Sequence, residues 1–175
     1  MKTYEFTIIA SGCDPEQNYE DALFEAGCDD ATLSIQKGLL IAEFDREAVS
    51  FLEALASACQ AIRAAGLKVE RVEPDHLVSL SEIAERSSLS RQAISLYVKG
   101  ERSSGFPAPA AKVTSKHPLW DWCEVAGWLF DRKLVAREAV VQARLVREAN
   151  ACIAASAMEQ DGFIQRLERC EQLGA

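Results

Sequence analysis

The sequence predicts an α+β protein, and three observations carry that expectation. Apolar residues alternate with polar or smaller ones at Tyr4, Phe6 and Ile8 and again through residues 31–35, which is the two-residue period of half-buried strands. Phe51, Leu52, Leu55, Cys59 and Ile62 recur instead at helical spacing. Beyond Pro74 that alternation stops and helix signals predominate to the C-terminus. A chain of 175 residues fits one large or two small domains.

Taken in order, residues 1–75 read β-α-β-β-α-β. After the first strand, Asp14-Pro15-Glu16-Gln17 is a helix-start signal, and Tyr19, Leu23 and Ala26 share one helical face up to Gly27. Residues 31–35 form the second strand, Lys37-Gly38 supplies a turn, and residues 39–44 return as the partner strand. Asp45 is the expected cap of a longer helix ending at Gly66, and residues 67–72 form a fourth strand stopped by Pro74. This order is the ferredoxin-like split βαβ arrangement. That fold hosts unrelated functions, so it says little about function by itself. The loop at residues 11–14 and the acidic pair Asp29-Asp30 are candidate contact points by exposure, with ordinary surface loops as the plainer reading.

Residues 79–100 carry the densest signal: a short capped helix, a tight turn and a second short helix. Ser79 with Glu82 three residues on forms a capping box. Ile83 faces inward, and Ala84 is small enough to let two helices cross closely. Ser87 and Ser88 are the expected turn, Leu89 returns to the core, and Ser90 caps the second helix. Ile94 and Val98 are its expected buried stripe, leaving Arg91, Gln92 and Ser95 outward, with Tyr97 and Lys99 near the far end. Such a helix-turn-helix places the N-terminal side chains of its second helix on base edges in the major groove. Arg can donate two bonds to guanine, and Gln can pair with adenine in the same way.

Downstream stand Gly105-Phe106-Pro107-Ala108-Pro109 and then the run from Leu119 through Trp120, Asp121, Trp122, Cys123, Glu124, Val125, Ala126, Gly127 and Trp128 to Leu129. Together with the preceding helix pair, residues 77–130 resemble the winged domain of MerR-type and excisionase-type DNA-binding regulators. The resemblance implies that the GFPxP segment enters a hairpin wing and that the closing helix packs its Trp and Val under the recognition helix. Ser88 departs from the pattern, since many members carry a turn glycine there; at positive φ, Ser costs more than Gly. Trp122, Val125 and Leu129, with Trp128 beside them, follow core spacing, and Trp120 is a candidate to close the wing. The resulting DNA-contacting set is Ser90, Arg91, Gln92, Ser95, Tyr97, Lys99, Arg102, Lys112 and Lys116.

Residues 131–175 read as helical, with Leu134, Val141, Leu145, Cys152 and Ile153 as the larger apolar positions. Seven-residue spacings suggest a coiled coil, but Glu138 and Glu148 interrupt the stripe. Gly162 is the expected helix break before Phe163, Ile164, Leu167 and Cys170. The resemblance implies that this segment joins two subunits; packing back onto its own chain is the open alternative. The expected domains are therefore 1–75, 76–130 and 131–175, the last a possible dimerisation segment.

Charge is unevenly spread. Residues 1–75 hold fifteen acids and six bases, whereas residues 76–130 hold five acids and six bases. Those six bases (Arg86, Arg91, Lys99, Arg102, Lys112, Lys116) lie where phosphates would be met. Six scattered cysteines without a C-x-x-C pair argue against structural zinc, and reduced thiols are the default. With no apolar run of membrane-spanning length and no signal segment, a cytoplasmic protein is expected. No phosphate-cradling loop, metalloprotease motif or nucleophile elbow appears, and His76 and His117 lack recognisable partners, so neither an enzyme nor a cofactor is expected. The leading expectation is a homodimeric regulator of double-stranded DNA. The alternative is an antitoxin or phage-linked control protein that binds a protein partner through its acidic N-terminal unit.

Overall fold

The computed structural model describes residues 1–14, 18–155 and 160–173. The protein is mixed α+β, with an antiparallel four-stranded sheet, a two-stranded one and seven helices among the described residues. It divides into two compact units: Met1–Pro74 with Glu148–Leu173, and Asp75–Arg147. Residues 131–175 are thus shared between the two units rather than standing apart.

The first unit runs β1 (Lys2–Ser11), α1 (Tyr19–Glu25), β2 (Ala31–Gln36), β3 (Leu39–Ala48), α2 (Phe51–Ala64) and β4 (Lys68–Glu73). Strand order is β2-β3-β1-β4. Alternation works as its physics requires. Tyr4, Phe6, Ile8 and Ala10 of β1 are buried, as are Leu40, Ala42, Phe44 and Ala48 of β3. Against them α2 buries Phe51, Ala54, Leu55, Ala58, Cys59, Ala61 and Ile62. Phe6 stacks on Phe44 with centroids 5.3 Å apart and meets Phe51 edge-on at 5.7 Å. Burial pushes the Cys28 and Cys59 thiols up to about 11 and about 12, so both behave as small hydrophobes.

Two local expectations need correction, and a third falls mostly outside the described residues. Asp45 does not cap α2: β3 continues past it to Ala48, in register with Glu5 of β1, and Ser50 accepts from the Glu53 amide at 3.2 Å instead. The first helix begins at Tyr19 without a side-chain cap, and most of the Asp14–Gln17 start signal lies outside the described residues. Nor does Gly162 end a helix, for it sits within the first turn of α7 (Gln160–Leu173).

Arg46 occupies the inward phase of β3 and is only 8 % exposed. Its Nε and Nη2 each donate to Asp30 at 2.7 Å, Nη1 donates to Ser57 Oγ at 3.1 Å, and Nη2 also reaches the Gly27 carbonyl. Asp30 is therefore committed to this pair rather than free as a contact point. On the outward phase, Glu5 stands opposite Asp45, with Glu43 and Glu47 flanking it along β3. All four carboxylates are exposed, and none has an ion pair among the described residues. At the end of α6 (Arg137–Ala154), Asn150 donates to the Val72 carbonyl at 2.9 Å and accepts from its amide at 2.8 Å. The side-chain amide thereby caps the free edge of β4 as a strand would. In α7, Arg166 pairs with Glu148, which explains how that carboxylate is accommodated in an otherwise apolar stripe.

The second unit holds β5 (Leu77–Val78), α3 (Leu80–Ser87), α4 (Arg91–Val98), β6 (Trp120–Asp121), α5 (Trp122–Asp131) and the start of α6. β5 and β6 pair antiparallel. Val78, Ile83, Ile94, Trp120, Val125, Leu129 and Val140 belong to one buried cluster. No helix among the described residues is long and apolar enough to cross a membrane.

Candidate nucleic-acid interface

The two short helices are set by their caps. At α3, Ser79 accepts from the Glu82 amide at 3.3 Å while the Glu82 carboxylate accepts from the Ser79 amide at 2.7 Å. Hydrogen bonds from the Ser79 side chain and amide hold the Glu82 carboxyl below its ordinary value. At the other end Ser88 takes φ 55°, ψ 28°, and the Leu89 amide reaches back to the Ala84 carbonyl at 3.0 Å. This is the left-handed helix stop that glycine fits best. The turn is therefore one residue later than expected: Ser87 is the last helical residue, buried, its hydroxyl donating to the Ile83 carbonyl at 2.6 Å.

Ser90 then caps α4 by accepting from the Ala93 amide at 3.1 Å. Arg91 and Gln92, in the first turn, are exposed, and Ser95 is half-buried. The far end of α4 overturns an expectation. Tyr97, placed on the outward face by sequence, is 6 % exposed, whereas Val98, assigned to the buried stripe, is 37 % exposed. Adjacent helical positions differ by about 100°, and the inward direction is claimed by Trp128, whose ring meets Tyr97 edge-on at 5.1 Å. Tyr97 is a core residue and leaves the contact set.

Beyond α4, Lys99 and Arg102 are exposed, and the Arg102 guanidinium lies over the Tyr97 ring, 5.2 Å from its centroid. Phe106 meets Trp128 edge-on at 5.0 Å, and Trp120 Nε1 donates to the Pro107 carbonyl at 3.1 Å, fastening the GFPAP segment. Ala111 and Leu119 then form a bridge, with bonds of 3.1 and 2.9 Å. Between them Lys112 (φ 52°), Val113, Lys116 and His117 are exposed. Arg86 drops out of the free cations, because its guanidinium is half-buried over Trp122 and donates to the Asp75 carbonyl at 2.8 Å.

One long-range side-chain contact organises this region. Arg132 closes α5 and bonds the loop after α4, 28 and 29 residues away in sequence. No local pattern announces such a contact.

Counted by unit, Asp75–Arg147 has eleven bases and eight acids, a net of +3, while Met1–Pro74 with the remainder of the chain has eight bases and nineteen acids, a net of −11. Only the smaller, mainly helical unit is thus net positive, chiefly because most of the acids lie in the other. No group of three or more potential metal-ligating residues occurs among the described residues. The chain matches no family model, no curated protein and no solved structure.

Proposed function

We propose that this chain is a sequence-specific regulator of double-stranded DNA, non-catalytic and cytoplasmic, with α4 in the major groove and the 110–119 hairpin as a wing. The observation that carries the reading is the exposure of Arg91 and Gln92 in the first turn of a capped second helix. Arg102, Lys112 and Lys116 are exposed on the loops that follow, in a unit of net positive charge. Side chains suited to reading bases and side chains suited to neutralising phosphates are therefore exposed in the same unit. The finer fold reading goes with it: strand order β2-β3-β1-β4 supports a ferredoxin-like first unit, and α3, α4 and the hairpin support a winged helix-turn-helix. A homodimer follows from the size of the module, since one recognition helix reads about one half-site.

The test is selection from randomised duplex DNA at moderate salt with the wild type and Arg91→Ala. The expected result is an enriched motif, in inverted copies, that Arg91→Ala loses at one base pair, at a cost of about 1–3 kcal/mol. Equal enrichment by both proteins, or none, overturns the placement of α4.

A second reading, a control protein that holds a protein partner, is favoured by one observation: the carboxylates Glu5, Glu43, Asp45 and Glu47 on the outward phase of the first sheet are exposed and have no ion pair among the described residues. Like charges directly opposite one another cost stability, and a basic partner would relieve that cost.

A further inference from the structure

Arg132 sits at the C-terminal end of α5, where the backbone itself is fixed. The Lys133 amide bonds the Phe130 carbonyl at 2.8 Å, the Leu134 amide bonds the Leu129 carbonyl at 3.0 Å, and Lys133 takes φ 59°. This double back-bond is a Schellman stop, and Leu134, packed on the core, completes it. The side chain therefore starts from a rigid anchor.

From there the guanidinium makes four contacts. Its Cζ lies over the Trp128 ring, 3.6 Å from the centroid. Nη1 donates to the Trp128 carbonyl at 3.2 Å, Nε to Ser103 Oγ at 3.1 Å and Nη2 to the Ser104 carbonyl at 3.0 Å. Ser103 and Ser104 belong to the segment that joins α4 to the GFPAP run, and Arg102 stands immediately before them. Trp128 also makes edge-to-face contacts with Tyr97 from α4 and Phe106 from the GFPAP run. Its own Nε1 is buried with no hydrogen-bond partner among the described residues. The indole is thus held by packing and by Arg132, not by its N–H.

We propose that Arg132 is a positioning residue for the DNA surface: it locks the loop after α4 onto α5, so that Arg102 meets a phosphate from a fixed place. The inference rests on the DNA reading above. A guanidinium suits the task because three separate donors, in one plane, reach three acceptors while the face stacks on a ring. A lysine ammonium carries the same charge but has no plane to stack and no fork to span Ser103 and Ser104. Freed from the clamp, the loop would lose part of its binding free energy to ordering on the duplex.

The experiment compares Arg132→Ala, Arg132→Lys, Arg102→Ala and the Arg102→Ala/Arg132→Ala double variant in the full chain. Hydrogen exchange of residues 101–106 is read without DNA, and affinity and salt dependence are read on the duplex that the wild type enriches. Both Arg132 variants are expected to exchange faster through this loop while keeping the wild-type melting transition within a few degrees. Each should bind about five- to tenfold more weakly and lower the salt slope by about one, as Arg102→Ala does. The double variant should bind no worse than Arg102→Ala alone. Should either Arg132 variant fail to fold, Ser103→Ala, which removes only the Nε acceptor, is expected to show the same faster exchange and a smaller affinity loss. Full affinity in Arg132→Lys, or additive losses in the double variant, would overturn the proposal and make Arg132 a direct phosphate contact. Unchanged exchange through residues 101–106 would overturn it as well. A wild type that enriches no sequence would instead remove the DNA reading itself.

Discussion

In the sheet-bearing unit, order comes from repetition. Two ten-residue strands run side by side in unbroken register from Lys2↔Ala48 to Ala10↔Leu40, and many modest apolar contacts share the stabilisation. In Asp75–Arg147 the strands have two residues each, α3 and α4 have eight, and a few groups carry the arrangement: a capping box, a left-handed turn, an indole and an arginine. The first unit also concentrates negative charge and the second positive. The two regions therefore absorb a change differently. A sheet distributes the loss of one contact over its neighbours, whereas a unit assembled from short elements depends on the residues that end and join them.

The largest expected effect tests the exception in the first unit, its buried Arg46. Asp30→Ala leaves that guanidinium without its carboxylate and should cost about 2–3 kcal/mol, below the fully buried case because the Asp30 side chain is 28 % exposed. Urea denaturation followed by far-UV circular dichroism reads it, and Asp30→Ala/Arg46→Met should recover much of the loss. An unchanged midpoint would place Arg46 among groups that water satisfies, and the contrast between the units would sharpen.

Next is the capping box of the second unit. All three tryptophans lie in this unit, so their fluorescence reports it alone. Ser79→Ala should cost about 1 kcal/mol. Because the folded Glu82 carboxyl is held below its unfolded value, its contribution is complete above the ordinary value of 4.5 and fades as pH falls through the lowered one. Ser79→Ala should shrink that acid-side loss. A variant as acid-sensitive as the wild type would show that the box is not what lowers Glu82.

The smallest effect has the opposite sign. Ser88→Gly removes a Cβ from a left-handed position and should stabilise the second unit by about 0.5–1 kcal/mol, read as a higher urea midpoint of tryptophan fluorescence. Destabilisation would mean that unfolded-chain entropy outweighs the strain at this turn.

Much of the fold was legible. The inward residues of β1 and β3 follow from parity, the Ser79–Glu82 cap from its spacing, and the burial of Trp122, Val125, Trp128 and Leu129 from helical period. Within the candidate interface, Arg91 and Gln92 were placed outward by the same period, and they are exposed. Arg46 had a readable signal too, since it keeps the inward phase of Leu40, Ala42 and Phe44, but a charge at such a position has no meaning until Asp30 is beside it. Tyr97 and Val98 are both compatible with an amphipathic helix, and only Trp128 decides which of them turns inward.

The period, the caps and the uneven charge are properties of the chain read locally, because they depend on covalent neighbours and on residue chemistry. Tertiary structure alone decided the edge cap from Asn150 to Val72, the pair between Arg46 and Asp30, and the reach of Arg132 to Ser103 and Ser104. Each of these joins groups that no local period relates. Such a contact exists only once folding has fixed both backbones and excluded enough water for one polar side chain to need another.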